Sequence, residues 1–380
     1  MDRNAIKDLY VHAFRGTSPD VANFSVKDVK ESLRKEMQNL APTKLEFQKN
    51  KYDIFAILQE AFDEVIPEYV NSMLSFADIQ TVGNNQKATF RVKRGRNRAK
   101  TFVTQVGLSG VYEAFRLDVD TIDVKANAWG GAAYIDYERS LDGSEDITES
   151  LNLLLEGLEQ AVQKEIIKAL ITTITNSSMP TNNYAVTSSF DPEQMAQLCN
   201  IAKNYGGGNA VIFATPEFIQ KMGPDAIGMP IYGIGGYNGT TPIAPILPGT
   251  AGYATPTYAP QDINDIHVLG HITRFRGVPI VEISQSFTDE DNSEYLIPPS
   301  FAYIFPAGDQ KIVKVVFEGD TQIDDFKHRD RSMEIEVYKK FGVAILTTNS
   351  WCAYRNLELE TAQYSTYDYL SARKNPHNFL

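Results

Sequence analysis

Cysteine is almost missing from this chain of 380 residues: it has two, Cys199 and Cys352, far apart in sequence. That excludes a disulfide framework and every clustered-cysteine metal or redox motif, and it points to a reducing compartment. Histidine is scarce too, at five residues, which leaves few candidates for general-base chemistry. No run of about 18 apolar residues occurs, so no membrane-spanning helix is expected. The opening MDRNAIKDLY is charged and polar, which does not fit a secretory signal. Positive charge is the minority: 36 Lys and Arg stand against 48 Asp and Glu, a net charge of −12. Proteins that grip nucleic acid through its phosphates draw on counterion release and are usually basic, so a general nucleic-acid binder is excluded. A chain that encloses nucleic acid without holding it is not.

Motifs for catalysis are also lacking. There is no phosphate loop of the G-x-x-x-x-G-K-[ST] kind. The run from Gly233 through Gly235, Gly236 and Gly239 approaches a dinucleotide fingerprint, but Asn238 takes the third glycine's place and no strand–helix frame surrounds it. His267 and His271 have the spacing of a helical metal pair, yet their segment reads as strand around Gly270. Asp118, Asp120 and Asp123 lack the remaining positions of a calcium loop. No cofactor and no metal are expected.

What is present is a long helix. From Glu145 to Thr175, apolar residues recur at spacings of three and four, with Leu151, Leu155, Leu158, Val162 and Ile166 on one stripe. Ser144 is placed to cap it, and Glu145, Asp146 and Glu149 suit the positive end of its dipole. The opposite face, with Glu149, Asn152, Glu156, Glu159 and Lys164, is expected to stay wet. Gly157 is the only glycine in the run, and we expect any bend to lie there.

Around this helix the chain changes character by region. Residues 1–76 read as a peripheral arm with helices at Val26–Leu40 and from Asp53 to Phe76, the second interrupted at Pro67. Between 77 and 127 the period shifts to two. Ala88, Phe90 and Val92 alternate with Thr89, Arg91 and Lys93, and a turn at Gly95–Arg98 returns the chain along 101–106. This hairpin carries Arg91, Lys93, Arg94, Arg96, Arg98 and Lys100 and too little apolar surface to stand alone. Residues 128–185 hold the long helix. Residues 186–305 read as a separate α/β domain, with a helix opened by Asp191-Pro192 and closed by Gly206–Gly208, a buried strand Ala210–Ala214, and a short helix from Thr215-Pro216. Within it, Gly223–Asp262 holds eight Gly, seven Pro and four Tyr, namely Tyr232, Tyr237, Tyr253 and Tyr258. An apolar, aromatic segment of that length is expected to be an ordered loop at an interface. Residues 306–356 return to strands, with Ile312–Phe317 and Met333–Leu346 suited to a long antiparallel pair. A polar, Tyr-rich tail, 357–380, follows.

The order of arm, basic hairpin, long helix, α/β domain and closing strand pair resembles the major capsid protein of tailed bacteriophages, the Hong Kong 97-type coat protein fold shared with encapsulins. The runs IVKVVFEGD at 312–320 and MEIEVYKKFGVAI at 333–345 are similar to that family's ending. The resemblance implies an α+β fold. In it 1–76 is the N-terminal arm, 77–127 the extended loop, 128–185 the peripheral domain with its spine helix, 186–305 the axial domain, and 306–356 the remaining peripheral strands. It implies a non-enzymatic subunit that assembles into hexamers and pentamers of an icosahedral shell around double-stranded DNA, in a virion built in the host cytoplasm. Portal, scaffolding and decoration proteins are the partners it implies. The short arm leads us to expect neither a fused scaffolding domain nor its proteolytic removal. Lys93 and Lys100 lie where some relatives form crosslinks, but no catalysing acid stands out and none is expected. An encapsulin-type compartment and a soluble α/β enzyme are the alternatives. The basic hairpin residues and the four tyrosines are then the expected inter-subunit surfaces, and Gly157 the expected hinge.

Overall fold

The computed structural model describes residues 3–17, 25–73, 75–92, 120–135, 147–175, 179–223, 271–287, 295–308, 311–327 and 333–360. The chain is α+β and divides into two units. The first comprises residues 1–170 with 311–346, and the second 171–310 with 347–380.

Unit 1 begins with three helices, α1 (Arg3–Arg15), α2 (Val26–Leu40) and α3 (Lys44–Met73). The amphipathic spacing placed α2, but it missed α1 and the first turns of α3. Ile6, Leu9, Tyr10 and Ala13 are buried on α1, and Ile54, Leu58, Phe62 and Val65 on α3. Ion pairs Arg3–Glu60 at 2.7 Å and Lys7–Glu64 at 3.0 Å line the seam between α1 and α3, joined by Arg15–Glu68. These helices are therefore a packed part of unit 1 and not a loose arm. Pro67 does not interrupt α3 either. A proline forfeits one helical hydrogen bond, and burial of Val65, Ile66 and Val70 around it offsets that loss.

The sheet of unit 1 has the order β1-β10-β11-β4. Strand β1 (Ala77–Val82) runs parallel to β10 (Val313–Lys327). β10 is antiparallel to β11 (Met333–Ile345), and β11 to β4 (Asn127–Ile135). The pair read from residues 312–346 is thus present, with a bulge between Glu318 and Gln322. Gly319 sits there at φ +68°, a conformation that favours glycine. A two-stranded ribbon, β2 (Ala88–Val92) and β3 (Asp120–Val124), makes a separate sheet. The expected return strand at 101–106 lies outside the described residues; the described partner of β2 is β3.

The long helix, α4 (Ile147–Thr175), holds the boundary between the units near its end. Ser144, Glu145 and Asp146 lie outside the described residues.

Unit 2 is built on a six-stranded sheet ordered β5-β12-β9-β6-β8-β7. These strands are β5 (Tyr184–Thr187), β6 (Ala210–Ala214), β7 (Arg274–Phe275), β8 (Val278–Glu282), β9 (Phe301–Pro306) and β12 (Cys352–Asn356). Helix α5 (Pro192–Tyr205) starts as read: Asp191 Oδ1 accepts from the backbone N–H of Glu193 at 2.9 Å and of Gln194 at 3.3 Å. Helix α6 (Pro216–Met222) follows β6. Met195, Leu198, Ile212, Phe218, Phe275 and Tyr354 share one buried cluster. Two domain limits need correction. β5, which the limit between 185 and 186 divides, and β12, assigned to the 306–356 peripheral strands, both pair inside unit 2. Local pattern marks a strand but does not say which sheet it joins.

Candidate functional site

No group of three or more His, Cys, Asp and Glu among the described residues is arranged to hold a metal. Cys199 and Cys352 are buried in the unit 2 core, and burial pushes both thiols up to about 12. They are neutral at ordinary pH and unsuited to nucleophilic work. His271 Nδ1 lies 3.1 Å from Glu282 Oε2, whereas His267 lies outside the described residues. Asp123 accepts a hydrogen bond from Thr89 Oγ1 at 2.8 Å across β2 and β3, so it braces the ribbon. Asp118 also lies outside the described residues. No helix among them is long and apolar enough to cross a membrane.

The polar chemistry of unit 1 instead joins helix to sheet. Asp63, on α3, accepts from the Thr321 backbone N–H at 3.0 Å and the Thr321 hydroxyl at 2.6 Å, and pairs with Lys339. Lys339 is 3% exposed and its ammonium lies 5.6 Å from the Phe317 ring centre. Lys51 pairs with Asp325 at 2.9 Å. Lys314 pairs with Asp78 across β1 and β10, with the Phe90 ring 5.4 Å away. The Asp63 and Lys51 bonds hold one face of the sheet to α3, while Lys314–Asp78 ties β10 to β1.

The opposite face carries the ribbon. Ala88 and Val124 pack on Val316, with Val82, Phe90 and Ala344 around them. Gly342 admits this approach, since a Cβ there would collide with the Lys125 carbonyl. Arg91 is exposed on β2 while Val92 is buried. Lys93, Arg94, Arg96, Arg98 and Lys100 lie outside the described residues, as do Tyr232, Tyr237, Tyr253 and Tyr258.

Further along the same face, Tyr134, Glu334 and Phe326 stand in one cross-strand row, with Ala132, Glu336 and Asp324 in the next row of that face. Tyr134 is 65% exposed and Phe326 51%. Two exposed aromatics thus border three acids. Sequence reading missed this surface, because it exists only once three strands are in register.

On α4, Leu151, Leu155, Leu158, Val162 and Ile166 are all buried. A Cβ at Gly157 would meet nothing within 4 Å, so tight packing is not what demands glycine there. The wet face needs correction. Glu159 is 8% exposed, and its carboxyl is pushed up to about 7 by burial first and by Glu156 second. Asn152 is half-buried.

A family model described as "SPbeta prophage-derived putative capsid protein YonB" matches residues 6–225 and 259–354. The chain belongs to this family. Its role as a capsid protein is therefore structural, in accord with chemistry spent on joining helix to sheet. The two matched segments of this capsid family leave out 226–258, where the four tyrosines lie. A comparison with curated proteins finds no match. Among solved structures, the capsid of cyanophage P-SCSP1u is 10% identical with a TM-score of 0.45, covering 74% of this chain and 86% of that one. The virus-like particle of Pyrococcus furiosus is 14% identical at 0.42, covering 77% and 98%. The SrpI encapsulin of Synechococcus elongatus PCC 7942 is 14% identical at 0.43, covering 76% and 88%.

Proposed function

We propose that this capsid-family chain is the major shell subunit of a tailed-phage virion, forming hexamers and pentamers of an icosahedral lattice around packaged double-stranded DNA. It assembles in the host cytoplasm with portal and scaffolding proteins and has no catalytic role. The observation that carries this reading beyond family membership is the outer face of the unit 1 sheet. At one end that face anchors the root of a strongly basic loop, and at the other it presents Asp324, Glu334 and Glu336 between Tyr134 and Phe326. Six basic residues between 91 and 100 and an acidic, aromatic surface on one molecule suit head-to-tail association of copies. Each exposed ion pair contributes roughly 0–1 kcal/mol, so it is the set that holds neighbours together. The net charge of −12 suits a wall that must release its DNA.

The test is a charge exchange. Arg94→Glu, Arg96→Glu and Arg98→Glu together are expected to abolish shells while leaving the subunit folded. Adding Asp324→Lys and Glu336→Lys to the same chain is expected to restore them, counted by electron microscopy. Normal shells from the triple variant would reject the loop's role. Failure of the added lysines to restore shells would reject the acidic face as its receiver.

A further inference from the structure

Asn152, Glu156, Glu159 and Gln163 follow one another on α4 at spacings of four, three and four, which puts them on one stripe. A polar stripe on an amphipathic helix ordinarily faces water. Here Glu159 and Gln163 are buried, and the buried Oδ1 of Asn152 has no hydrogen-bond partner. Glu156 alone is exposed. On α3, Tyr69 is half-buried, and its phenol is raised by burial first and then by the charges of Glu159 and Glu156. Among the described residues, Glu156 on its own helix and Tyr69 on α3 are the titratable groups coupled to Glu159, and no cation is. A buried carboxyl with a like charge one turn away and no counter-ion among the described residues favours the neutral acid over the carboxylate.

We propose that Glu159 is a proton-operated latch on α4: as the neutral acid it stays buried, and as the carboxylate it turns to solvent and loosens the packing of the helix around it. The proton is released to bulk water and taken back from it. The direction follows from linkage. An opened Glu159 ionises near 4.5 and the buried one near 7, so between those values rising pH favours the open form. Below and above that window the balance is flat.

Hydrogen exchange on the full-length chain as isolated subunit tests this, with intrinsic amide rates corrected for pH. Protection of backbone amides at 154–166 is expected to fall roughly a hundredfold between pH 5 and pH 8. Glu159→Gln keeps the shape of the neutral acid and is expected to hold protection constant. Glu156→Gln is expected to move the fall to lower pH. The same pH response in Glu159→Gln as in the unaltered chain would overturn the proposal. So would a carbon-13 carboxyl titration of the unaltered chain in which Glu159 ionises below pH 5, a reading that needs no variant to fold.

Discussion

Removing the carboxylate of Asp63 is the sharpest perturbation of the frame described above. Asp63→Ala would leave the Lys339 ammonium buried at 3% exposure with only the Phe317 ring near it. A cation–π contact of that kind returns about 1 kcal/mol. The Thr321 backbone N–H and hydroxyl, at the bulge of β10, would lose their acceptor at the same time. Breaking a buried ion pair from one side costs about 3–5 kcal/mol, and because the Asp63 side chain is 24% exposed, water reaches it and the lower end applies. Asp63→Asn keeps an oxygen for Thr321 and removes only the charge, so its loss is expected to be about half as large. Lys339→Met leaves Asp63 bonded to Thr321 and partly wet, and should cost less than Asp63→Ala. The chain provides its own reporters. Of its two tryptophans, Trp129 lies on β4 opposite Lys339 and stacks on Phe341 at 5.5 Å, while Trp351 stacks on Phe305 at 5.5 Å in unit 2. Urea unfolding of the dissociated subunit, followed by Trp129 fluorescence in a Trp351→Phe background, reads unit 1. A loss below about 1 kcal/mol for Asp63→Ala, or an Asp63→Asn variant as stable as the unaltered chain, would refute the argument that a stranded buried cation dominates.

Two further outcomes follow from single sites. Gly157→Ala, in open space on an exposed part of α4, should stabilise the subunit by about 1 kcal/mol; if α4 bends there, precursor shells should form normally and expand more slowly by light scattering, and unchanged expansion would remove the hinge. Cys199 and Cys352, both raised to about 12 by burial, should resist a thiol reagent at pH 7.5 in the folded chain and react when it is unfolded in urea; fast labelling of the folded chain would contradict their burial.

How far the fold could be read from sequence depended on whether the deciding interaction was local. The limits of α2, the Asp191 cap of α5 and the β10–β11 pair come from spacings and turn residues within a few positions of each other. So does the burial of Leu151, Leu155, Leu158, Val162 and Ile166. Helix α1 escaped notice because its charges disguise a narrow apolar edge that only α3 completes. The partnership of β12 with β9, and the row formed by Tyr134, Glu334 and Phe326, depend on pairing between segments tens to hundreds of residues apart. Alternation in one strand holds no record of its neighbour. Lys339 illustrates the same limit: it stands between Tyr338 and Lys340 and reads as a solvated strand residue. What buries it is a carboxylate on a helix 276 positions earlier.

Glu159 carries that lesson into mechanism. Its spacing put it on the polar side of α4, and that assignment was correct for the helix alone. Burial raises this carboxyl to about 7, so near neutral pH its charged form is disfavoured relative to an exposed acid. The buried form costs up to about 3 kcal/mol at neutral pH, since each unit of pKa shift corresponds to about 1.4 kcal/mol. Gly157, two positions away, adds the loss of about 1 kcal/mol that glycine carries in a helix interior. Both penalties fall within one turn of a helix whose apolar stripe is otherwise complete. The joint between α3 and the sheet at Asp63, Thr321 and Lys339 shows the opposite design, with a buried charge matched by a carboxylate and hydrogen bonds. Unit 1 thus pairs its buried charge where α3 meets β10 and β11, and leaves two penalties uncompensated at Gly157 and Glu159. If the helix re-packs as neighbouring subunits shift, it is expected to do so there, away from that joint.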